Sequence, residues 1–331
     1  MKKILLIHTG GTFGMIPVKP SQVLAPADIK DLILKNLPDI KKIARVDFKI
    51  AFNIDSANIQ IHHWRKLAQI ISENYPEYDG FVIIHGTDSM IYTASALSFI
   101  LRGLNKPVTL TGSQRPLAFI RSDAKSNLIN SIELATLKIP EVSICFGTKL
   151  FRGNRTIKIS STSYNAFASP NFSALADVGW EISLSPNILS GGKKLILKDD
   201  FDSNVFSFRY FPGLSPRYLE YLIDSPAKGV IIEALGMGSI SVMENSLIPW
   251  INQMTNANKI IVINSQNPYG KINLNLYQCG KMIKDAGGIS ASDMTVSTSI
   301  VKLMFLLGYH KGNLEKVKKN FLKPLAGEVT E

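Results

Sequence analysis

Thr12, Thr87 and Asp88 stand in two short glycine loops, His8-Thr9-Gly10-Gly11-Thr12 and His85-Gly86-Thr87-Asp88-Ser89. A hydroxyl beside a carboxylate supplies a nucleophile and a group to orient it, and glycine lets a substrate approach the backbone. Each loop directly follows a compact apolar run, Ile4-Leu5-Leu6-Ile7 and Phe81-Val82-Ile83-Ile84. Such runs predict buried strands of a parallel sheet, whose carboxyl ends are where open α/β sheets place ligands. A third hydroxyl-bearing loop, Thr111-Gly112-Ser113-Gln114-Arg115, closes the run at 107–111. A fourth polar cluster, Arg152-Gly153-Asn154-Arg155-Thr156-Ile157-Lys158, follows the run at 141–146. Several loops converging on one sheet edge define a candidate site where any one alone would be weak.

Plainer readings compete for the same residues. Gly10-Gly11-Thr12-Phe13-Gly14 has neither G-x-G-x-x-G nor G-x-x-x-x-G-K-[ST] spacing, which argues against a phosphate cradle. Thr12 suits a helix cap after a glycine turn, Thr87 and Asp88 suit an N-cap before a helix at 90–103, and Lys158 suits a solvated strand. His8 and His85 end buried strands and read as hydrogen-bonded structural residues, without the base-plus-carboxylate setting of a triad.

The elements that must position these loops follow from periodicity. Strands are predicted at 4–8, 47–53, 80–84, 107–111 and 141–146, with helices near 62–75, 90–103 and 122–137. That is the pattern of right-handed βαβ units. Loop chemistry around Ser185-Pro186-Asn187 and Ser190-Gly191-Gly192, then the polar Asp199-Asp200-Phe201-Asp202, breaks the pattern. Alternation resumes with strands at 229–233 and 259–264 and helices near 215–223, 244–257, 276–286, 296–307 and 313–321. The expected architecture is α/β. A doubly wound, mostly parallel N-terminal domain (1–182) is joined by a linker (183–205) to a smaller C-terminal α/β domain (206–331).

Composition narrows the class. With 331 residues, 45% hydrophobic and 19% charged, the chain supports two packed domains. The opening Met1-Lys2-Lys3-Ile4-Leu5-Leu6-Ile7 mimics a signal peptide, but His8-Thr9-Gly10-Gly11 interrupts it; a first strand and a cytoplasmic location are expected. Cys145 and Cys279 lie far apart and read as reduced thiols. No His-Glu-x-x-His is present, and a helix would point the adjacent His62 and His63 in different directions, so neither a metal nor a cofactor is expected. The formal charge of +11 raises nucleic-acid binding, yet the basic residues are scattered, and Lys316-Val317-Lys318-Lys319 reads as a solvated helix face. No nucleic-acid or membrane partner is expected.

These motifs resemble those of the bacterial-type L-asparaginases, and within them the cytoplasmic type I branch. Thr-Gly-Gly-Thr at 9–12 and His-Gly-Thr-Asp-Ser-Met at 85–90 are similar to the two signature segments. Thr-Gly-Ser-Gln at 111–114, Arg-Ser-Asp-Ala at 121–124 and Asn-Leu-Ile-Asn at 127–130 resemble a third block, and Phe-Arg-Gly-Asn-Arg at 151–155 with Lys158 resembles the lysine segment. Ala168-Ser169-Pro170-Asn171-Phe172 and Ser292-Asp293-Met294-Thr295 look like type I sequence. The resemblance runs from Ile4 to about Leu307.

It implies that Thr12 attacks the side-chain amide of L-asparagine, giving a β-aspartyl ester and ammonia, and that water then releases aspartate. Thr87, held by Lys158, would supply the second hydroxyl, with Asp88 as the neighbouring acid. A partly desolvated lysine there would accept a proton. Ser56 would bind the substrate α-carboxylate and Asp88 its α-ammonium, and Asp55, Gly86, Thr87, Ser113 and Tyr277 complete the implied substrate set. The glycine loop at 234–239 resembles one that reaches a neighbouring subunit's site, which implies a homo-oligomer, dimer or tetramer.

The chain departs from the family pattern at three places. The segment 13–26 carries no tyrosine where the family places one on a lid; Leu24 takes its place, and Pro17, Pro20 and Pro26 stiffen the segment. Ser239 replaces a common asparagine. Ile157 and Asn267 stand where some type I enzymes carry a threonine and a cysteine for allosteric control, so no strong cooperativity is expected. Two rival readings share the fold. One is the ammonia-releasing component of a transfer-RNA amidotransferase, which would carry an additional N-terminal domain before the first motif; the other is a non-catalytic amino-acid-binding protein.

Overall fold

The computed structural model describes residues 1–18, 23–26 and 29–330, with backbone alone for 17–18 and 23–26. The chain divides into two compact units, Met1–Lys198 and Asp199–Glu331.

The first unit is built on eight strands: β1 (Lys3–Gly10), β2 (Arg45–Ile54), β3 (Gly80–Ile84), β4 (Val108–Thr111), β5 (Val142–Phe146), β6 (Lys149–Arg152), β7 (Ala176–Val178) and β8 (Ile182–Leu184). Their order is β8-β7-β6-β5-β4-β3-β1-β2. The pairs among β1 to β5 are parallel, and β6, β7 and β8 add on antiparallel. All five residues of β3 are buried, as expected of a parallel strand covered on both faces. On one face Ile4, Leu6, Val82 and Ile84 pack against Leu128 and Ile132 of a helix at Ala124–Ala135. Because β2 lies on one side of β1 and β3 on the other, the winding direction reverses between β1 and β3. Ligands gather outside the carboxyl ends at such a switch point.

The predicted strands and helices of this unit form close to their expected limits. The helix expected over 90–103 stops at Ile100, because Leu101–Arg102 turns into a two-residue strand pairing with Ile196–Leu197. The segment expected as a linker therefore carries structure: its start forms the edge strand β8, and Ile196–Leu197 closes that small pair. Residues Met15–Val18 and Val23–Pro26 pair antiparallel as a hairpin behind the first loop. The side chains of Pro17, Leu24 and Pro26, and Pro20 entirely, lie outside the described residues, and with them the expectation of a stiff, tyrosine-free lid.

The second unit holds a parallel sheet in simple order, β9 (Val205–Arg209), β10 (Gly229–Ala234), β11 (Ile260–Ser265) and β12 (Ile289–Ser290). Val230, Ile232, Ile261 and Ile263 meet Trp250, Met254 and Ile283 from helices Ile248–Asn256 and Gln278–Asp285. Helices Val296–Tyr309 and Leu314–Phe321 complete it. Lys302 and Glu328 form a fully buried ion pair at 2.5 Å.

His62 and His63 do not point apart: their ring centroids lie 3.9 Å from each other. His63 Nδ1 accepts from the backbone N–H of Gln60, which turns its ring back over the helix start. Among the described residues no group of His, Cys, Asp and Glu is placed to hold a metal, and no helix is long and apolar enough to cross a membrane.

Candidate active site

The loops after β1 and β3 meet backbone to backbone. Gly11 has φ +83°, and a Cβ there would lie 2.6 Å from Gly86 Cα. Neither position admits a side chain, since a Cβ on Gly86 would come within 2.7 Å of Ser56 Oγ. This close approach sets Thr12 and Thr87 on adjoining loops and brings the turn after β2, which holds Ser56, against both. Thr9 Oγ1 donates to Ile84 O at 2.9 Å, sewing the two strand ends together. The hydroxyl-and-glycine composition is thus a packing requirement as well as a chemical one.

Thr12 opens a short turn, Thr12–Gly14, whose cap position is Gly11, so the threonine is not a cap. Thr87 and Asp88 do not cap the next helix either; Ser89 occupies that place, and its hydroxyl donates to Ser56 O at 2.6 Å. Lys158 is not a solvated lysine. Its Nζ donates to Thr87 Oγ1 at 2.8 Å and sits 2.5 Å from Asp88 Oδ1. It stands on a two-residue strand, Ile157–Lys158, paired with Phe167–Ala168. The lysine side chain is 15% exposed and that of Asp88 71%, so the carboxylate stays open to a ligand.

The remaining expected residues take different places. Ser56 is buried at the meeting of the loops. Asp55 is exposed and spends its carboxylate locally, accepting from Ala57 N at 2.8 Å. Ser113, in the loop after β4, donates to Arg115 O at 2.6 Å. Gln114 Nε2 ties that loop to the segment after Lys158 through Ser160 O and Ser163 O, both at 3.2 Å. Tyr277 belongs to the second unit, where it is 55% exposed at the start of helix Gln278–Asp285.

Two further groups support the loops, and the first, His85, is hydrogen-bonded as expected. His85 is fully enclosed, with Nδ1 2.7 Å from Gly86 O and Nε2 2.9 Å from Thr93 Oγ1, which in turn accepts from Trp64 Nε1 at 3.2 Å. A neutral ring with its proton on Nδ1 satisfies that chain. Burial pushes its pKa down to about 4. Asp123 accepts from the backbone N–H of Gln114 and Arg115 and from Asn127 Nδ2, fixing the loop after β4. His8 is likewise pushed down to about 4 by burial, opposed by a hydrogen bond to Asn53. Its Nδ1 has no partner among the described residues.

Comparisons with known proteins bear on the family and the fold. The family model described as Asparaginase, N-terminal, matches residues 3–189, and that of the Glutaminase/Asparaginase C-terminal domain matches residues 204–321. L-asparaginase 1 of Escherichia coli is 34% identical over 99% of this chain and 98% of its own length. A glutamyl-tRNA(Gln) amidotransferase subunit of Pyrococcus abyssi is also 34% identical, over 100% of this chain but 77% of its own length. The solved thermostable L-asparaginase from Thermococcus kodakarensis superposes with a TM-score of 0.93 at 33% identity, covering 99% of both chains. Both family models matched in order, relatives matched along the whole chain and a shared fold lead to one conclusion: the chain belongs to the asparaginase family.

Proposed function

We propose that this protein is an L-asparaginase that hydrolyses L-asparagine to L-aspartate and ammonia through an ester on Thr12. The observation that supports the reading is the close approach of Gly11 and Gly86, which sets the loops of Thr12 and Thr87 side by side, together with the bonds from Lys158 to Thr87 Oγ1 and Asp88 Oδ1. Thr12 Oγ1 adds to the amide carbon of the substrate. The C–N bond breaks, the hydroxyl proton passes through the Thr87–Lys158 pair to the leaving nitrogen, and ammonia departs. Water then adds to the ester carbon, its proton returns to Thr12 Oγ1, and aspartate leaves. A threonine hydroxyl needs such help near neutral pH. The open carboxylate of Asp88 suits the substrate α-ammonium, and Ser56, with Gly86 and Ser113, suits its α-carboxylate side.

Oligomer formation belongs to the same proposal. Met237 of the glycine loop at 234–239, and Met243, Tyr269 and Tyr277 elsewhere in the second unit, are exposed apolar or aromatic residues of the kind that contact another copy. The free cysteines Cys145 and Cys279 fit a cytoplasmic location.

Ammonia release from L-asparagine and from L-glutamine, with wild-type protein and Thr12→Ala, tests the reading. Release from L-asparagine that vanishes in folded Thr12→Ala supports it. No release from either amide by folded wild-type protein would favour an amino-acid-binding role. The likeness to the Pyrococcus amidotransferase favours a second reading, an ammonia donor working with transfer RNA. Steady turnover of free L-asparagine without any RNA would exclude dependence on that partner.

A further inference from the structure

The second unit contains a cavity of about 650 Å³ that the chemistry above does not use. Three segments distant in sequence each bring a lysine to its wall: Lys271 from the loop after β11, Lys284 from the last turn of Gln278–Asp285, and Lys318 from Leu314–Phe321. Among the described residues no aspartate or glutamate lines it. Lys284 is held in place, its Nζ donating to Asn275 Oδ1 at 3.0 Å, and Asn275 also lines the wall. An ammonium has three N–H donors, so two remain for a ligand.

A position in the last turn of a helix accounts for Lys284 and Lys318 by the helix dipole, but it accounts neither for Lys271 nor for the meeting of all three at one wall. Lys318 belongs to the basic run at 316–319, whose expected place is a solvated helix face. Instead it is half-buried and turned to the cavity, while Lys316 and Lys319 of the same run are exposed. Ile272, Leu274, Ile289 and Leu322 supply apolar wall to the same cavity. Like charges gathered in a concavity with apolar walls repel one another and focus a positive potential, and a bound anion relieves both. We propose that this cavity binds a small organic polyanion, a carbon skeleton bearing two or more carboxylates or phosphates.

The test is calorimetric titration of the full chain, at matched ionic strength, with citrate and with fructose 1,6-bisphosphate. Two triple variants are compared with wild type. One, Lys271→Gln/Lys284→Gln/Lys318→Gln, strips the cavity; the other, Lys281→Gln/Lys316→Gln/Lys319→Gln, removes the same charge from lysines outside its lining. Saturable binding of at least one probe is expected, weakened about tenfold or more by the cavity variant and within about twofold of wild type in the other variant. Which probe binds identifies the carboxylate or the phosphate source. If the cavity variant fails to fold, Lys284→Gln alone carries the test, with weakening of about threefold expected. Absence of saturable binding of both probes, or equal weakening by the two triple variants, overturns the proposal. The readout requires no turnover, so it stands apart from the asparaginase reading.

Discussion

The pairs Lys158–Asp88 and Lys302–Glu328 share a separation of 2.5 Å and little else. In the second, both side chains are entirely buried, Lys302 Nζ also donates to Lys323 O at 2.8 Å, and Glu328 accepts from the N–H groups of Leu325 and Ala326. That pair is closed: its charges compensate each other and pin the C-terminal segment to helix Val296–Tyr309. In the first, the lysine divides itself between a hydroxyl and a carboxylate, and the carboxylate is largely exposed. That pair is open, with capacity left over for a substrate. The two pairs differ in what remains unsatisfied, not in distance, and that difference is what the proposed chemistry draws on.

Cutting the closed pair gives the largest expected effect. Lys302→Met leaves Glu328 buried without its counter-charge and is predicted to cost about 3–5 kcal/mol in denaturant unfolding. Ammonia release per folded molecule should stay near wild type. Lys158→Met is predicted to do the reverse. Turnover should fall roughly 10²–10⁴-fold, while unfolding stability changes by no more than about 1 kcal/mol, because the Asp88 carboxylate left behind is largely exposed to water. If the two variants lost stability and turnover in the same proportion, the contrast between the pairs would collapse.

The open pair rests on the enclosed His85, and acid should expose that dependence. Folding holds its pKa near 4 against an ordinary 6.5, so the unfolded chain binds the proton first as pH drops. The stability is complete above about pH 6.5 and is lost as pH falls toward 4. Between pH 7 and about 4.5 the loss from this ring amounts to roughly 2–3 kcal/mol. His85→Asn should therefore show a shallower acid dependence of unfolding than wild type; an identical slope would rule out the buried neutral ring. Asp88→Asn is the mildest change, keeping shape while removing the charge open to substrate. A KM increase of roughly 10–100-fold, with the fold intact by circular dichroism, is expected from the loss of a charge-assisted contact.

Local signals expose the sheet and half of the site. Ile4–Ile7 and Phe81–Ile84 are continuous apolar runs because strands buried on both faces leave no room for alternation, and the glycine loops after them are legible for the same reason. The antiparallel strands β6, β7 and β8 carry no such signal, being three or four residues long, or exposed, without a clear period. Val205–Arg209 begins at the last residue of the expected linker, since the polar run at 199–204 precedes it and its partner β10 comes twenty residues later. Lys158 is legible by resemblance alone; nothing in Ile157-Lys158 foretells a reach across the sheet edge to Thr87. The Trp64–Thr93–His85 chain and the cavity lysines join residues far apart in sequence, which no local pattern encodes.

The most direct measurement of the account is acid quench of the wild-type protein during turnover of L-asparagine, followed by peptide mapping by mass spectrometry. An aspartyl group on the peptide carrying Thr12, absent from Thr12→Ala, is the predicted result. An aspartyl group on another residue, or undiminished ammonia release by Thr12→Ala, would contradict it.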